Sequence, residues 1–134
     1  MNDSNNRYLL GLPEMDAQHE YLYSLFDRIE GIATAGDREA MRNLLKEIER
    51  YLVFHFECEE RLMRIYGFDG FGVHQGDHEQ AGNKLVAFLD DFEANRLNPA
   101  ALRIFFTGWL MEHSRLSDSE YVKKVLEERR IIFP

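Results

Sequence analysis

The sequence predicts an all-α protein, an up-down-up-down four-helix bundle with an N-terminal arm and a short C-terminal helix or tail. Three observations carry this. Apolar residues recur at steps of three and four through four long segments, the period of a helix with one buried face. The segments are separated by short runs holding Gly, Asn, Asp or Pro, residues that stop and restart helices. No alternating apolar–polar run marks a strand. Connections this short make consecutive helices antiparallel neighbours.

Taken in order, residues 1–15 have no clear period and are expected to form the arm, lying across the bundle end. The first stripe is His19, Leu22, Phe26, Ile29 and Ala33, and it stops at Gly36. Asp37 suits the N-cap of the next helix, whose stripe runs Leu44, Ile48, Leu52, His55, Glu59, Leu62, Tyr66 to Gly67. A glycine-punctuated turn, Gly67 to Gly72, precedes the third stripe of His74, His78, Ala81, Leu85, Phe88 and Phe92. Asn98-Pro99 pairs a cap residue with proline at the first helical position. It opens the fourth stripe of Leu102, Phe106, Trp109, His113 and Leu116. The bundle is thus expected over about 16–118 and the tail over 119–134, all in one domain. The charged run Glu120–Arg130 reads as a solvated face.

At 134 residues the chain can bury a core without disulfide staples. Its net charge of −8 argues against nucleic acid, since phosphate binding needs clustered Lys and Arg. No stretch approaches the ~20 apolar residues of a membrane span, and the polar N-terminus does not read as a signal peptide. A lone Cys58 forms no internal disulfide, which points to a reducing, cytoplasmic setting. The glycines of 67–76 lack the lysine and order of a phosphate-binding loop.

The polar residues on the apolar stripes break the pattern. All five histidines lie there, and Glu59 lies among Leu52, Leu62 and Tyr66. Buried imidazole and carboxylate are costly unless paired, hydrogen-bonded or bound to metal. A metal centre accounts for them together. His55/Glu59 and His74/His78 are i,i+4 pairs, each on one helix face. His19 and His113 add an imidazole from each remaining helix. Asp118 stands five residues after His113, and a regular helix would set the two side chains ~140° apart. Asp118 joins the site only if the helix ends or bulges between them. Seven ligands exceed one tetrahedral zinc. Imidazole with carboxylate suits iron, zinc, copper or nickel, and two octahedral ions would use this set well.

The set His19, His55-Phe56-x-x-Glu59-Glu60-x-Leu62-Met63, His74-x-x-x-His78 and Trp109-Leu110-x-x-His113-x-x-x-x-Asp118, led by Met15-Asp16-x-Gln18, resembles the hemerythrin family, in particular its single-domain bacterial members. The likeness covers about residues 8–121. It implies a non-haem di-iron centre with a bridging oxygen. His74, His78 and His113 would hold one iron, His19 and His55 the other, with Glu59 and Asp118 bridging. One position stays open on the iron of His19 and His55, where O2 binds in this family and takes two electrons from the diferrous pair. Leu22, Phe56, Trp109, Leu110 and Ser114 match the O2 pocket, whose apolar wall keeps out water and protons. The resemblance therefore implies O2 binding, for carriage, storage or delivery to O2-dependent enzymes, and not catalysis. The alternatives are an O2 or redox sensor acting through a signalling partner, and a di-iron enzyme acting on peroxide or nitric oxide. Oligomeric state is not legible.

Two departures from the family pattern stand out. Phe68-Asp69 replaces a usual Tyr-Pro and is expected to loosen the loop. Ser114 replaces a usual Ile or Leu and is expected to open a water and proton path. Glu57, Glu60 and Asp77, beside ligand positions, are expected to face solvent.

Overall fold

The computed structural model describes residues 9–132, and side chains to Arg129. Residues 1–8 of the expected arm lie outside the described residues. Helix α1 (Pro13–Asp27) starts earlier than the periodicity suggested, because Pro13 pre-sets the first turn. The arm before it is pinned by Asp16, whose carboxylate accepts from the backbone of Leu10 at 2.8 Å and Gly11 at 3.0 Å. Arg28 then interrupts the first stripe. Its N–H turns to Leu25 O at 3.2 Å, and α2 (Ile29–Ala35) resumes beyond it. The break escaped sequence reading because Phe26 and Ile29 stay on the buried side of both pieces.

Gly36 adopts φ 71°, the left-handed conformation that closes α2. Helix α3 (Arg38–Ile65) is capped by Asp37, which accepts from Ala40 N at 3.0 Å. After Gly67, again left-handed at φ 64°, helix α4 covers Phe71–Glu93. Asn98 caps α5 (Pro99–His113) by accepting from Ala101 N at 3.1 Å. A π-helical turn, Ser114–Asp118, joins α5 directly to α6 (Ser119–Ile132). Replacing Asp37 by Ala leaves N–H groups of the first turn of α3 unpaired. It is expected to cost about 1 kcal/mol in urea unfolding, and an unchanged midpoint would show the cap to be idle.

The helices form the expected four-helix bundle, without strands among the described residues. Its apolar core divides in two. The larger part, including Phe26, Leu45, Ile48, Leu85, Phe92, Leu102 and Phe106, fills the loop-rich end. The smaller part gathers Leu12, Met15, Met63, Tyr121, Val122 and Val125 at the other end. The run after Ser119 is therefore no purely solvated tail. Tyr121, Val122 and Val125 are buried, and α6 seals that end of the bundle. Phe68 joins this cap, its ring edge-on to Tyr121 at 6.4 Å. It packs the turn where a looser loop was expected. No described helix is long and apolar enough to cross a membrane.

Candidate metal centre

Between the two cores lies a layer of buried polar side chains. His19, His55, Glu59, His74, His78, His113 and Asp118 are each at most 6 % exposed. α1 supplies His19, α3 supplies His55 and Glu59, α4 supplies His74 and His78, and α5 with the π turn supplies His113 and Asp118. The donors fall into two groups whose atoms lie within 4.8 Å of one another: Glu59, His74, His78, His113, Asp118 and His19, His55, Glu59, Asp118. All seven predicted residues converge, and both groups share the two carboxylates.

Asp118 reaches the layer because the helix bulges. In the π turn hydrogen bonds run from i to i+5, so residues five apart stack. His113 Nε2 and Asp118 Oδ1 are accordingly 3.2 Å apart. Asp118 Oδ1 also lies 2.8 Å from His74 Nε2, and its Oδ2 3.4 Å from His19 Nε2. Glu59 Oε1 faces His55, His78 and His74 at 3.3, 3.1 and 3.7 Å. His19 meets His55, and His74 meets His113, Nε2 to Nε2 at 3.1 and 3.0 Å.

This arrangement fits metal better than protons. Both oxygens of Asp118 are fully buried and accept no well-formed hydrogen bond, a costly state for a carboxylate. The Nε2 atoms point at one another, where lone pairs repel unless protons or cations lie between. Two cations would take these lone pairs and carboxylate oxygens as ligands at once. The buried His, Glu and Asp set suits a di-iron site.

Four of the Nδ1 atoms, those of His19, His55, His78 and His113, turn outward onto partners. His55 meets Gln18 Oε1 at 2.7 Å, His78 meets Glu60 Oε2 at 2.9 Å, and His19 meets Ser114 Oγ at 3.2 Å. Asp77 Oδ2 lies 3.7 Å from His113 Nδ1. Glu60 is thus not a solvent-facing residue, and Asp77 is only half exposed and turned to the site. Ser114 is 1 % exposed. Its hydroxyl meets His19 Nδ1 at 3.2 Å, a partner the sequence did not indicate. Of the other pocket positions, Leu22 and Leu110 are buried. Phe56 stacks on His78 (4.0 Å, 8°) and Trp109 on His113 (4.5 Å, 12°). Tyr121 was not foreseen. Its hydroxyl donates to Glu59 Oε2 at 2.7 Å. Burial, with the charges of Glu59 and Asp118, raises its pKa and keeps the phenol protonated. The one sequence signal was its place among Val122 and Val125 in an otherwise charged run.

Burial alone would depress His74, but the close carboxylates of Asp118 and Glu59 raise it from 6.5 to about 9. Burial would raise Glu59 and Asp118, yet the surrounding imidazoles hold both below the usual carboxylate range. In the metal-free protein the His74 contribution to stability is complete below about pH 6.5 and is lost as pH rises through about 9. The carboxylate contribution is present above their ordinary range and is lost on acidification through the depressed values. The metal-free protein is therefore expected to unfold at lower urea at pH 9 than at pH 6.5. Metal affinity should move the other way, because the ligands must lose protons. Equal urea midpoints at the two pH values would contradict the ion pairing.

A helical bundle with a buried seven-residue centre of shared carboxylates defines the class. Residues 10–125 match the family model for the hemerythrin HHE cation binding domain, and the chain belongs to the hemerythrin family. It is 26 % identical over 116 residues to the bacteriohemerythrin of Stenotrophomonas maltophilia (strain R551-3), covering 87 % of this chain and 76 % of that one. It is 24 % identical over 117 residues to a hemerythrin-like protein of Naegleria gruberi, covering 87 % of each. A crystal structure of wild-type hemerythrin superposes with a TM-score of 0.76 at 24 % identity, over 83 % of this chain and 86 % of the other.

Proposed function

We propose that this chain binds O2 reversibly at a non-haem di-iron centre, for carriage, storage or delivery of O2. The observation that carries the reading is the sharing of Glu59 and Asp118 by two buried donor groups. His74, His78 and His113 would hold one iron and His19 and His55 the other, with Glu59 and Asp118 available to both. An iron pair bound there would supply the electrons and the Lewis acidity for O2 binding. The chain supplies the rest. Gln18, Ser114 and Glu60 fix the rings of His55, His19 and His78 so that each Nε2 faces inward. Tyr121 holds Glu59 by its second oxygen. Leu22, Leu110, Phe56 and Trp109 exclude water, and the sealed layer denies protons to the bound ligand.

Iron content per chain, with absorption spectra of the ferrous protein before and after air, tests this. About two irons per chain and a spectrum that appears with air and reverses under vacuum are expected. One iron at saturating ferrous iron, or rapid turnover of added peroxide without a stable oxygenated spectrum, would overturn the reading.

A further inference from the structure

The five imidazoles are not backed alike. His78 Nδ1 meets Glu60 Oε2, and the other oxygen of Glu60 accepts from Gln75 Nε2 at 3.2 Å. His113 Nδ1 faces Asp77 Oδ2, which also accepts from Ser117 at 3.3 Å. The acceptors at the opposite pole are neutral: the Gln18 amide for His55 and the Ser114 hydroxyl for His19. The two carboxylates in the layer, Glu59 and Asp118, belong to both groups. The difference between the poles therefore lies in the outer partners and in three imidazoles against two.

A carboxylate that accepts the Nδ1–H of an imidazole draws the proton toward itself and makes Nε2 a stronger donor to a cation. Its charge also offsets part of the cation's charge at short range. An amide or hydroxyl oxygen does less of both. Glu60 is held firmly for this role, with its side chain only 16 % exposed and each oxygen in a hydrogen bond.

We propose that Glu60, with Asp77 beside it, adds to the imbalance of three imidazoles against two and makes the centre two-sided in metal affinity. The pole of His74, His78 and His113 takes up its metal ion first and releases it last, so the chain passes through a one-metal form on loading and on chelation. This rests on the metal-centre reading above. Glu60 and Asp77 act through His78 and His113 and are positioning residues. Because O2 binding needs both ions, occupancy of the weaker pole sets how much of the protein is competent. The stronger pole ties α3, α4 and α5 together when metal is scarce, and α1 joins only through His19 at the weaker pole.

The test is an anaerobic titration with ferrous iron, and separately with cobalt(II) followed by its visible absorption, each in competition with a chelator. Wild type is expected to bind in two resolved steps. Glu60→Gln keeps the side-chain volume and is expected to weaken the tighter step about tenfold or more, leaving the weaker step as in wild type. Gln18→Glu gives His55 a carboxylate partner and is expected to tighten the weaker step, narrowing the gap. Circular dichroism checks that each variant is folded. If Glu60→Gln is not, Gln18→Glu carries the test alone. A single concerted step in wild type, equal weakening of both steps by Glu60→Gln, or an unchanged weaker step in Gln18→Glu would overturn the proposal while leaving the metal centre standing. Failure of wild type to bind either metal would overturn the metal centre itself.

Discussion

A chain carrying both His74→Ala and His78→Ala is expected to retain at most one iron and to show no spectral change on exposure to air. The pair lies one turn apart on α4 and supplies two of the three imidazoles of its pole. What remains there is His113 with the shared carboxylates, too few donors to hold an ion against water. The metal-free variant should also lose stability. Glu59 and Asp118 stay fully buried but lose His74, the imidazole that approaches Asp118 at 2.8 Å. Breaking a buried charge pair typically costs about 3–5 kcal/mol. Iron analysis together with urea unfolding at pH 6.5 reads both effects. Two tightly held irons in this variant would rule out the ligand assignment.

Tyr121→Ala is expected to destabilise the protein by about 3–5 kcal/mol, the range for deleting a buried ring. The side chain is fully buried among Leu12, Met15 and Met63, at the point where α6 closes over the polar layer. Tyr121→Phe keeps the ring and removes only the donor to Glu59 Oε2. It is expected to cost about 1.5–3 kcal/mol, the range for a hydrogen bond to a charged group. The difference between the two variants separates closure of the cap from support of the carboxylate. Equal losses would mean that the ring packs without contributing as a filler. No loss in Tyr121→Phe would mean that the hydroxyl does not hold Glu59.

The legible part of this protein was whatever repeats along a helix. His55/Glu59 and His74/His78 announced themselves because a stripe of leucine and phenylalanine makes a buried polar residue conspicuous. The five-residue gap from His113 to Asp118 required the helix to end or to bulge, and the π turn is a bulge. The caps at Asp37 and Asn98 followed from short-range chemistry. The outer partners were hidden. Glu60 and Asp77 look like ordinary surface acids beside their neighbours, and only the crossing of α3 with α4 brings Glu60 onto His78. Ser114 and Tyr121 depend on contacts across 95 and 62 residues of chain. The break at Arg28 was hidden for the opposite reason. It is so tight that the buried stripe passes through it without a change of face.

The π turn leaves one residue of slack in the long helix that runs from Pro99 to the cap. Five residues occupy the space in which an α-helix would use four, and both spacings return the chain to the same side. Removing one residue between Ser114 and Ser117 would therefore let the backbone relax to an ordinary helix. Asp118 would still face the layer, and Tyr121 would still face Glu59. Adding one residue has no such outlet. It would swing everything downstream by about 100°, carrying a ligand and the seal of the centre away together. Length variation in this stretch should thus be one-sided, shorter forms surviving where longer ones fail.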